Sequence, residues 1–378
     1  MTQKMSRKSF LQLAAGSAIG AAMIHMPAIS WAAEAEGAKR VIKAINLKDL
    51  PRDAIESAKA SPLIHRSYED ILKIVGTIRN EALRSEVLKL IKDPRLSFLS
   101  QYTSASSRSS LYAALAAEGL VDASKIDEAH ILPPISDSVQ PFMTAPGSGY
   151  GSHHPYPGGL ATHVDSNLKI TAALCKIYDE VYMYRVDRDM AIAAQALHDI
   201  AKPYVFQWQK DGSSLKEYTI AGQGAHHVIS LAEVIYRNFP ADEVIAQACA
   251  HGAPSNPKEE ADVASWLNAA AIMAGKDPVA YGLLDSSKKA FPRPHRQEGY
   301  IVHLGDHDWV LSSPAAQKSV KMLERIAKEK YGITDAAEFN AFRNYVGSQL
   351  AFMFLNYLEG EKGGFDKAYA EVAKVVIK

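Results

Sequence analysis

The chain has 378 residues, of which 47% are hydrophobic and 22% charged, an ordinary globular composition that allows one large domain or two smaller ones. Its 42 basic residues equal its 42 acidic residues in number. This balance excludes a chain-wide basic field for holding nucleic acid or an anionic membrane, so no nucleic-acid partner is expected.

The first 35 residues have the pattern of an export signal. Lys4, Arg7 and Lys8 precede a mild apolar run, and small residues follow at the spacing of a cleavage site. The run is short and weakly apolar for a membrane anchor, which needs about 20 residues. "SRKSFLQ" resembles the twin-arginine export motif, with Lys8 where the second arginine usually stands. We expect a periplasmic or otherwise exported protein without a membrane span in its mature form. The general export route and a retained anchor are the alternatives.

Residues from about 40 to 130 have helical patterns, within an N-terminal region of residues 36–149 that also includes a loop. In "YEDILKIVGTIRNEALRSEVLKLIKDP", Ile71, Ile74, Val75 and Ile78 stand at helical spacing. A loop rich in proline, glycine and serine follows, and it leads into "HHPYPGGLATHVDSN". The sequence therefore predicts an N-terminal helical region that ends in a loop next to three histidines.

From residue 160 onward helices again dominate. "DRDMAIAAQALHDIAKP" predicts a helix that begins after the cap Asp187 and stops at Pro203. Residues 204–220 predict a β-hairpin around an Asp-Gly turn, and "GYIVHLGDHDWVL" predicts a second small hairpin. The tail is helical, and its apolar run is interrupted by Asn356, which favours packing in the core over a membrane span.

The neighbouring residues indicate the roles of the two cysteines and of the aromatic residues in the first predicted hairpin. Cys175 and Cys249 lie in apolar helical patterns, which favours buried thiols over a disulfide bond. The aromatic residues of the first predicted hairpin either surround a substrate or form the packed face of the hairpin itself, and we favour the second reading. They are Tyr204, Phe206, Trp208 and Tyr218.

Histidines and one aspartate fall in or beside several predicted helices. Imidazole and carboxylate form the ligand set of a divalent transition metal such as Zn, Fe, Ni or Mn. Antiparallel helices bring such residues to one point in the core of a bundle. Adjacent helical residues point about 100° apart, so two neighbours reach one ion only near a helix end. The residues are His163, His198, Asp199, His226, His227 and His251.

The segment "LHDIAKP" joins the adjacent pair His198 and Asp199 to Lys202. An ion-binding pair is thus followed by a cation suited to hold a phosphate oxygen. The alternative for Lys202 is a helix-end lysine that complements the helix dipole. "GxSxG" and "GxxxxGK[ST]" are both missing from the sequence, so neither a serine nucleophile elbow nor a P-loop is expected.

The order His, His-Asp, His, His over residues 150–285 resembles the HD superfamily of metal-dependent phosphohydrolases. "GGLATHV" is similar to the segment of the first ligand, and "LHDIAKP" to the His-Asp-x-x-Lys signature, with Ala201 where glycine is commonest. The resemblance implies a mainly α, HD-type helical bundle with additional N- and C-terminal helices. The expected parts are an export signal at 1–35, an N-terminal helical region at 36–149, a metal-binding core at 150–285 and a C-terminal helical region at 286–378.

The resemblance also implies roles for individual residues. His163, His198 and Asp199 would bind metal, and Lys202 would lie near the substrate phosphate. His227 and His251 look like the further ligands of subfamilies with two metals. His226 competes with His227 for that role, and we slightly favour His227. The late aspartate of the family is not found, because Gly275 stands at its place in "AAIMAGKDP". Asp277 either substitutes for it or caps a helix before the following proline, and we favour the cap.

We therefore expect a metal-dependent hydrolase of a small phosphorylated substrate, a phosphomonoesterase or a phosphodiesterase. It would carry one or two divalent ions (Mn, Fe, Zn, Ni or Mg) that activate a water, with Asp199 and Lys202 as catalytic residues. His153 and His154 would bind the substrate phosphate from the loop, or else form an exposed pair. An HD-type di-iron oxygenase and a non-catalytic metal- or ligand-binding protein are the alternatives.

The export signal leads to a first prediction. The mature chain should begin near Ala33 or Glu36, because small residues precede both positions at cleavage-site spacing. Mass spectrometry of the N-terminal peptide, applied to fractionated cells, measures this. Recovery of only full-length protein from the cytoplasm would contradict the expectation.

Overall fold

The computed structural model describes residues 41–134 and 139–378 of the chain. The predicted export signal, residues 1–35, lies outside these described residues. Between Ile42 and Lys378 the chain folds as one unit, and most of its described residues are helical. The mainly α fold class predicted from the sequence is therefore confirmed.

Helices α1–α4 precede the histidine-rich part of the chain. Each begins after a side chain that accepts a hydrogen bond from a backbone N–H two or three residues further on, which satisfies an otherwise unpaired donor. Ile71 and Val75, from the predicted apolar stripe, are buried on α2. The caps are Asp53, Ser61, Asn80 and Ser104, and the four helices are Ala54–Lys59, Pro62–Val75, Glu81–Lys92 and Ala105–Ala117.

Helices α5–α10 carry the histidines that the sequence singles out. The predicted cap Asp187 accepts a hydrogen bond from the backbone N–H of Met190 at 3.1 Å, and α6 begins directly after it. α5 packs against α2 and α6, α9 packs against α6, and α8 packs against α10. In chain order the six helices are Gly159–Tyr182, Arg188–Leu197, Lys202–Val205, Ala225–Tyr236, Ala241–Ala248 and Pro257–Met273.

The C-terminal part adds α11–α15 and closes the unit. β1 (Ile45–Asn46) pairs in parallel with β4 (Val376–Ile377), which joins the first described residues to the end of the chain. Phe352 and Leu355 are buried on α14, so the predicted packing of the tail in the core is confirmed. Among the described residues, no helix combines the length and the apolar content needed to cross a bilayer. Helices α11–α15 are Glu298–Gly305, Trp309–Ile326, Ala336–Leu350, Phe352–Glu359 and Gly364–Val375.

The second predicted hairpin is wrong. "GYIVHLGDHDWVL" forms α11 and the start of α12. Ile301 and Val302 are neighbours in sequence and both are buried, which a helix packed into the fold permits and a strand with one exposed face does not. They share an apolar cluster with Cys175 of α5, and α11 packs against α5, so tertiary packing favours the helical state of this segment.

The first predicted hairpin is much reduced. Tyr204 belongs to α7, and a single antiparallel bridge, Trp208 to Ser214, remains around the Asp-Gly turn. Asn340 and Asn344 of α13 donate hydrogen bonds to the carbonyl oxygens of Asp211 and Gly212. Backbone hydrogen bonds from Gln209 to Ser213 and from Leu215 to Gln207 hold the reduced hairpin, and the two asparagine side chains satisfy further carbonyl groups of its turn. A short antiparallel pair, β2 (Thr219–Ile220) with β3 (Gln223–Gly224), follows it.

Both cysteine side chains are buried, and no disulfide joins them. The predicted buried thiols are therefore confirmed. Burial raises the pKa of the Cys175 thiol to about 11, which keeps it protonated and unreactive near neutral pH.

Glu243 is a buried carboxyl group without a partner. It lies in the first turn of α9 and is 1% exposed. Neither of its side-chain oxygens has a hydrogen-bond partner among the described residues. Burial raises the pKa of Glu243 from 4.5 to about 8, so the folded chain keeps this carboxyl protonated at neutral pH.

Glu243 therefore makes stability fall as pH rises. The unfolded chain loses this proton near pH 4.5 and the folded chain near pH 8. Between these values the folded state binds more protons, and each pH unit costs about 1.4 kcal/mol of unfolding free energy. Glu243→Gln should remove this decline, so its gain over the parent chain should be larger at about pH 8 than at about pH 5. Urea unfolding at both pH values measures the effect.

Glu233 supplies a matched control for that experiment. It is fully buried too, but it accepts hydrogen bonds from Ser97 and from the backbone of Phe98, and it pairs with Arg237. Glu233→Gln should therefore lower stability, because it removes a charged acceptor from satisfied donors. An equal gain from Glu243→Gln at both pH values would contradict the buried-acid explanation.

Candidate metal centre

Two glycines start the helix that carries the first histidine. Gly158 has a φ of 83°, and a Cβ on it would lie 2.6 Å from Ile64. Only glycine fits both the left-handed backbone and this close approach. α5 begins at Gly159, and His163 follows in its first turns with 1% exposure. The Gly-Gly pair of the sequence thus places His163 in the interior.

His198 and Asp199 lie beside a helix end, as the sequence predicts, but the predicted stop at Pro203 is wrong, because Pro203 lies in α7. α6 ends at Leu197, and the pair occupies the turn before α7. Both side chains are buried. The Nδ1–H of His198 donates a hydrogen bond to the carbonyl oxygen of Gln195 at 2.7 Å. Its Nε2 atom is therefore left to face the interior of the site.

A first group of possible ligands converges on one oxygen of Asp199. The Nε2 atoms of His163 and His198 lie 3.2 and 3.1 Å from Asp199 Oδ2. The same two nitrogens lie 3.1 and 3.3 Å from Oδ1 of Asp306. Asp306 follows the end of α11, and sequence reasoning missed it.

A second group faces the other oxygen of Asp199. The Nε2 atoms of His226 and His251 lie 3.3 and 3.6 Å from Asp199 Oδ1. His227 lies beside them, with its ring stacked on that of His251. The ligand atoms of these three histidines are within 4.8 Å of one another, as one ion requires. Both histidines of the 226–227 pair thus reach the centre, and His226 is the one next to Asp199.

The donor set fits a metal. Both oxygens of Asp199 and the Nε2 atom of His198 are buried and make no hydrogen bond to the described residues, although the Lys202 ammonium forms an ion pair with Asp199 Oδ2. Such groups are costly to bury unless a charge or a ligand compensates them. Imidazole nitrogens and carboxylate oxygens within 4.8 Å of one another suit one or two divalent transition-metal ions.

Mutual charges set the protonation of the first group. Burial lowers the pKa of His198, but the carboxylates of Asp199 and Asp306 outweigh burial and raise it to about 9. Burial raises the pKa of Asp199, but the charges of His198 and Lys202 outweigh burial and hold it well below its usual range. Without metal the carboxylates are therefore ionised and His198 is protonated. Metal binding must displace that proton, so uptake should weaken as pH falls.

Two of the three histidines of the second group, His227 and His251, are held neutral. Burial is the main cause that lowers the pKa of His251 to about 4 and that of His227 well below its usual range. The Nδ1 atom of His226 is in hydrogen-bond contact with a carboxylate oxygen of Glu217, and this raises its pKa against the effect of burial. A carboxylate behind a ligating imidazole orients the ring. Glu217 is thus a further residue that sequence reasoning missed.

Lys202 lies inside the site. It is 1% exposed, its ammonium lies 2.5 Å from Asp199 Oδ2, and it donates to the carbonyl oxygen of Gly147. Lys202 is the first residue of α7, whereas the helix before His198, α6, ends at Leu197. Lys202 therefore does not lie in the last turn of α6 and does not complement its C-terminal dipole. The interpretation of Lys202 as a plain helix-end lysine is therefore not supported.

The loop pair His153 and His154 divides into two environments. The Nε2 atom of His153 lies 3.5 Å from the ammonium of Lys202, and its ring centre lies 5.0 Å from that of His163. His154 is buried, and its ring nitrogens contact Tyr156 and Asp308. His153 therefore borders the centre on the side of Lys202, whereas His154 lies behind the ligands.

Asp277 does not take the place of the missing late aspartate. It is exposed, and its carboxylate accepts a hydrogen bond from the backbone N–H of Ala280 at 2.6 Å. It is therefore a cap, the reading that the sequence favoured. The sequence does carry a signal for Asp306, since "GDHDW" places two aspartates around a histidine, but the hairpin predicted there separates it from the other ligands.

The aromatic residues of the reduced hairpin contact protein groups. The Nε1–H of Trp208 donates to the carbonyl oxygen of Thr144, and the ring of Tyr218 packs on that of His130. Phe206 is buried against His226. These contacts support the packing interpretation over a substrate-binding one.

Comparison with known proteins agrees with this geometry. Residues 160–280 match the family model of the HD domain. The dihydroneopterin 2',3'-cyclic phosphate phosphodiesterase of Methanocaldococcus jannaschii is 28% identical over 191 residues, which are 50% of this chain and 62% of that relative. The chain thus matches less than two thirds of the relative's length. No solved structure matches the chain. Asp306 lies outside the matched HD domain.

The geometry predicts which carboxylates hold metal. His198→Ala, Asp199→Ala and Asp306→Ala should each lower the metal content while keeping most of the helical content, because each removes a ligand of a buried site. Loss of a supporting residue alone commonly costs about 10–100-fold in metal affinity. Elemental analysis and circular dichroism of the purified variants measure both quantities.

Asp277→Ala is the matched control, because this aspartate lies on the surface and caps a turn. It should keep the metal content of the parent chain. Full metal occupancy in Asp306→Ala, or loss of metal in Asp277→Ala, would show that the late ligand has been assigned wrongly.

Proposed function

We propose that the chain is a metal-dependent hydrolase of a phosphoester. One observation carries the proposal: the two oxygens of Asp199 face two different groups of histidines. A carboxylate in that position can bridge two ions about 3.5–4 Å apart, the arrangement used by many phosphoester-cleaving enzymes. The match of residues 160–280 to the HD domain supports the same class.

A divalent ion at this centre would supply a Lewis acid and a water of lowered pKa. The protein residues would do the rest. Lys202, beside Asp199, would hold a phosphoryl oxygen and stabilise the charge that develops there. His153 borders Lys202, and burial, its main influence, lowers its pKa, so it would act as a neutral hydrogen-bond partner of the phosphate.

The substrate class follows from the relative. Its name describes a phosphodiesterase that acts on a cyclic phosphate, and we extend only the small phosphodiester to this chain. The buried position of Lys202 and Asp199 favours a substrate whose phosphate reaches into the centre. We further propose that the chain works after export, since its first 35 residues have the pattern of an export signal.

Metal analysis combined with a substrate panel tests the function. The purified chain should hydrolyse at least one member of a panel of phosphomonoesters, linear phosphodiesters and cyclic phosphodiesters, and Asp199→Ala should not. If the chain contains iron and consumes oxygen but hydrolyses no phosphoester, the oxygenase would be the better assignment. Bound metal without any turnover would favour a binding protein.

Lys202 allows a sharper prediction. Lys202→Met keeps a long side chain but removes the charge, so the variant should keep its metal and its fold. It should lose about tenfold or more in kcat/KM, because about 1.4 kcal/mol of lost transition-state stabilisation equals a factor of ten. Steady-state kinetics on the substrate found by the panel measures the loss.

Lys169→Met is the control for this change. Lys169 lies on α5 and pairs with Asp70 and Asp165 at the half-exposed surface. Removing its charge should leave kcat/KM unchanged. Unchanged kcat/KM in Lys202→Met as well would reject the role of Lys202 and would weaken the hydrolase relative to the oxygenase.

A further inference from the structure

His154 has an unusual and closely packed backbone conformation. His154 has a φ of 46°, in the left-handed region that side chains other than glycine rarely adopt. Its carbonyl oxygen accepts hydrogen bonds from the backbone N–H groups of Gly147 and Tyr156, each at 2.9 Å. A Cβ on Gly159 would lie 1.9 Å from that oxygen. A strained residue held so closely indicates a function for its side chain.

Both ring nitrogens of His154 have partners within the protein. The Nδ1 atom lies 3.3 Å from the hydroxyl oxygen of Tyr156, which itself lies 2.9 Å from the hydroxyl of Thr162 on α5. The Nε2 atom lies 3.0 Å from Oδ2 of Asp308. With both nitrogens engaged and the residue 6% exposed, His154 has no free donor for a substrate phosphate.

The other oxygen of Asp308 faces a metal ligand. Asp308 Oδ1 lies 3.4 Å from the Nδ1 atom of His163. Both atoms are buried, and neither has a hydrogen-bond partner among the described residues, so a small adjustment would let each satisfy the other. Since the Nε2 atom of His163 faces Asp199 and Asp306, His163 can offer Nε2 to an ion only if Nδ1 carries the ring proton.

We propose that His154 and Asp308 are positioning residues for the metal ligand His163. His154 holds the Asp308 carboxylate in place, and Asp308 accepts the Nδ1 proton of His163, which fixes the tautomer and the ring orientation that metal binding needs. Carboxylate–histidine–metal arrangements of this kind raise the basicity of the ligand. The inference rests on the proposed metal centre, and it removes His154 from the substrate-binding residues.

The experiment is a Co²⁺ titration of the metal-stripped chain, followed by the visible absorption of the bound ion. Asp308→Asn and His154→Phe should each weaken Co²⁺ affinity about 10–100-fold and change the absorption spectrum, because the first ligand loses its orientation. His154→Gln, which can still donate to Asp308, should recover part of the affinity. Asp308 is partly exposed, so its variant tests the idea even if a variant at the buried His154 fails to fold.

Asp165→Asn is the matched control. Asp165 is a buried carboxylate on α5, two residues from His163, but it pairs with Lys169 on another face of the helix. Its variant should bind Co²⁺ with the parent affinity and spectrum. Parent-like Co²⁺ binding by Asp308→Asn would overturn the inference. The Co²⁺ titration does not depend on the substrate panel. A failed phosphoester assay would therefore not affect the interpretation of the Co²⁺ binding data.

Discussion

The structure depends on one buried carboxylate. Asp199 is fully buried at the end of α6, and groups from α5, α8 and the segments after α9 and α11 surround it. A carboxylate without compensation costs several kcal/mol in such a place. Histidine nitrogens and the ammonium of Lys202 meet it in the folded chain, and a bound cation would compensate it further. Metal binding at this point would therefore stabilise the fold as well as serve chemistry.

The C-terminal region completes the centre. Asp306 and Asp308 belong to the junction of α11 and α12, beyond the matched HD domain. α11 packs along α5, and this contact carries Asp306 to the Nε2 atom of His163 and Asp308 to its Nδ1 atom. Residues 286–378 therefore contribute directly to the centre, because they supply Asp306 and Asp308, which contact His163.

The two sides of the centre differ in their electrostatics. On the side of His198 and Asp306, opposite charges hold one another in the ionised state. On the side of His227 and His251, burial keeps the imidazoles neutral. Neutral imidazole is ready to ligate an ion, whereas a protonated histidine must first lose its proton. His227 and His251 are thus prepared for an ion over a wider pH range than His198 is.

The sequence by itself determined the features that depend on neighbours along the chain. The helix cap Asp187 and the Gly158-Gly159 start of α5 are local features, so capping and turn chemistry reveal them. The end of α6 is not, since the sequence predicts it at Pro203 and the structure has it at Leu197. Only the tertiary structure decided which distant residues join the centre. "GDHDW" has no local feature that separates a hairpin from a helix junction, and the packing of α11 against α5 favours the helical state. His154 and Asp308 likewise gain their roles from contacts between segments far apart in sequence, where local pattern carries no information.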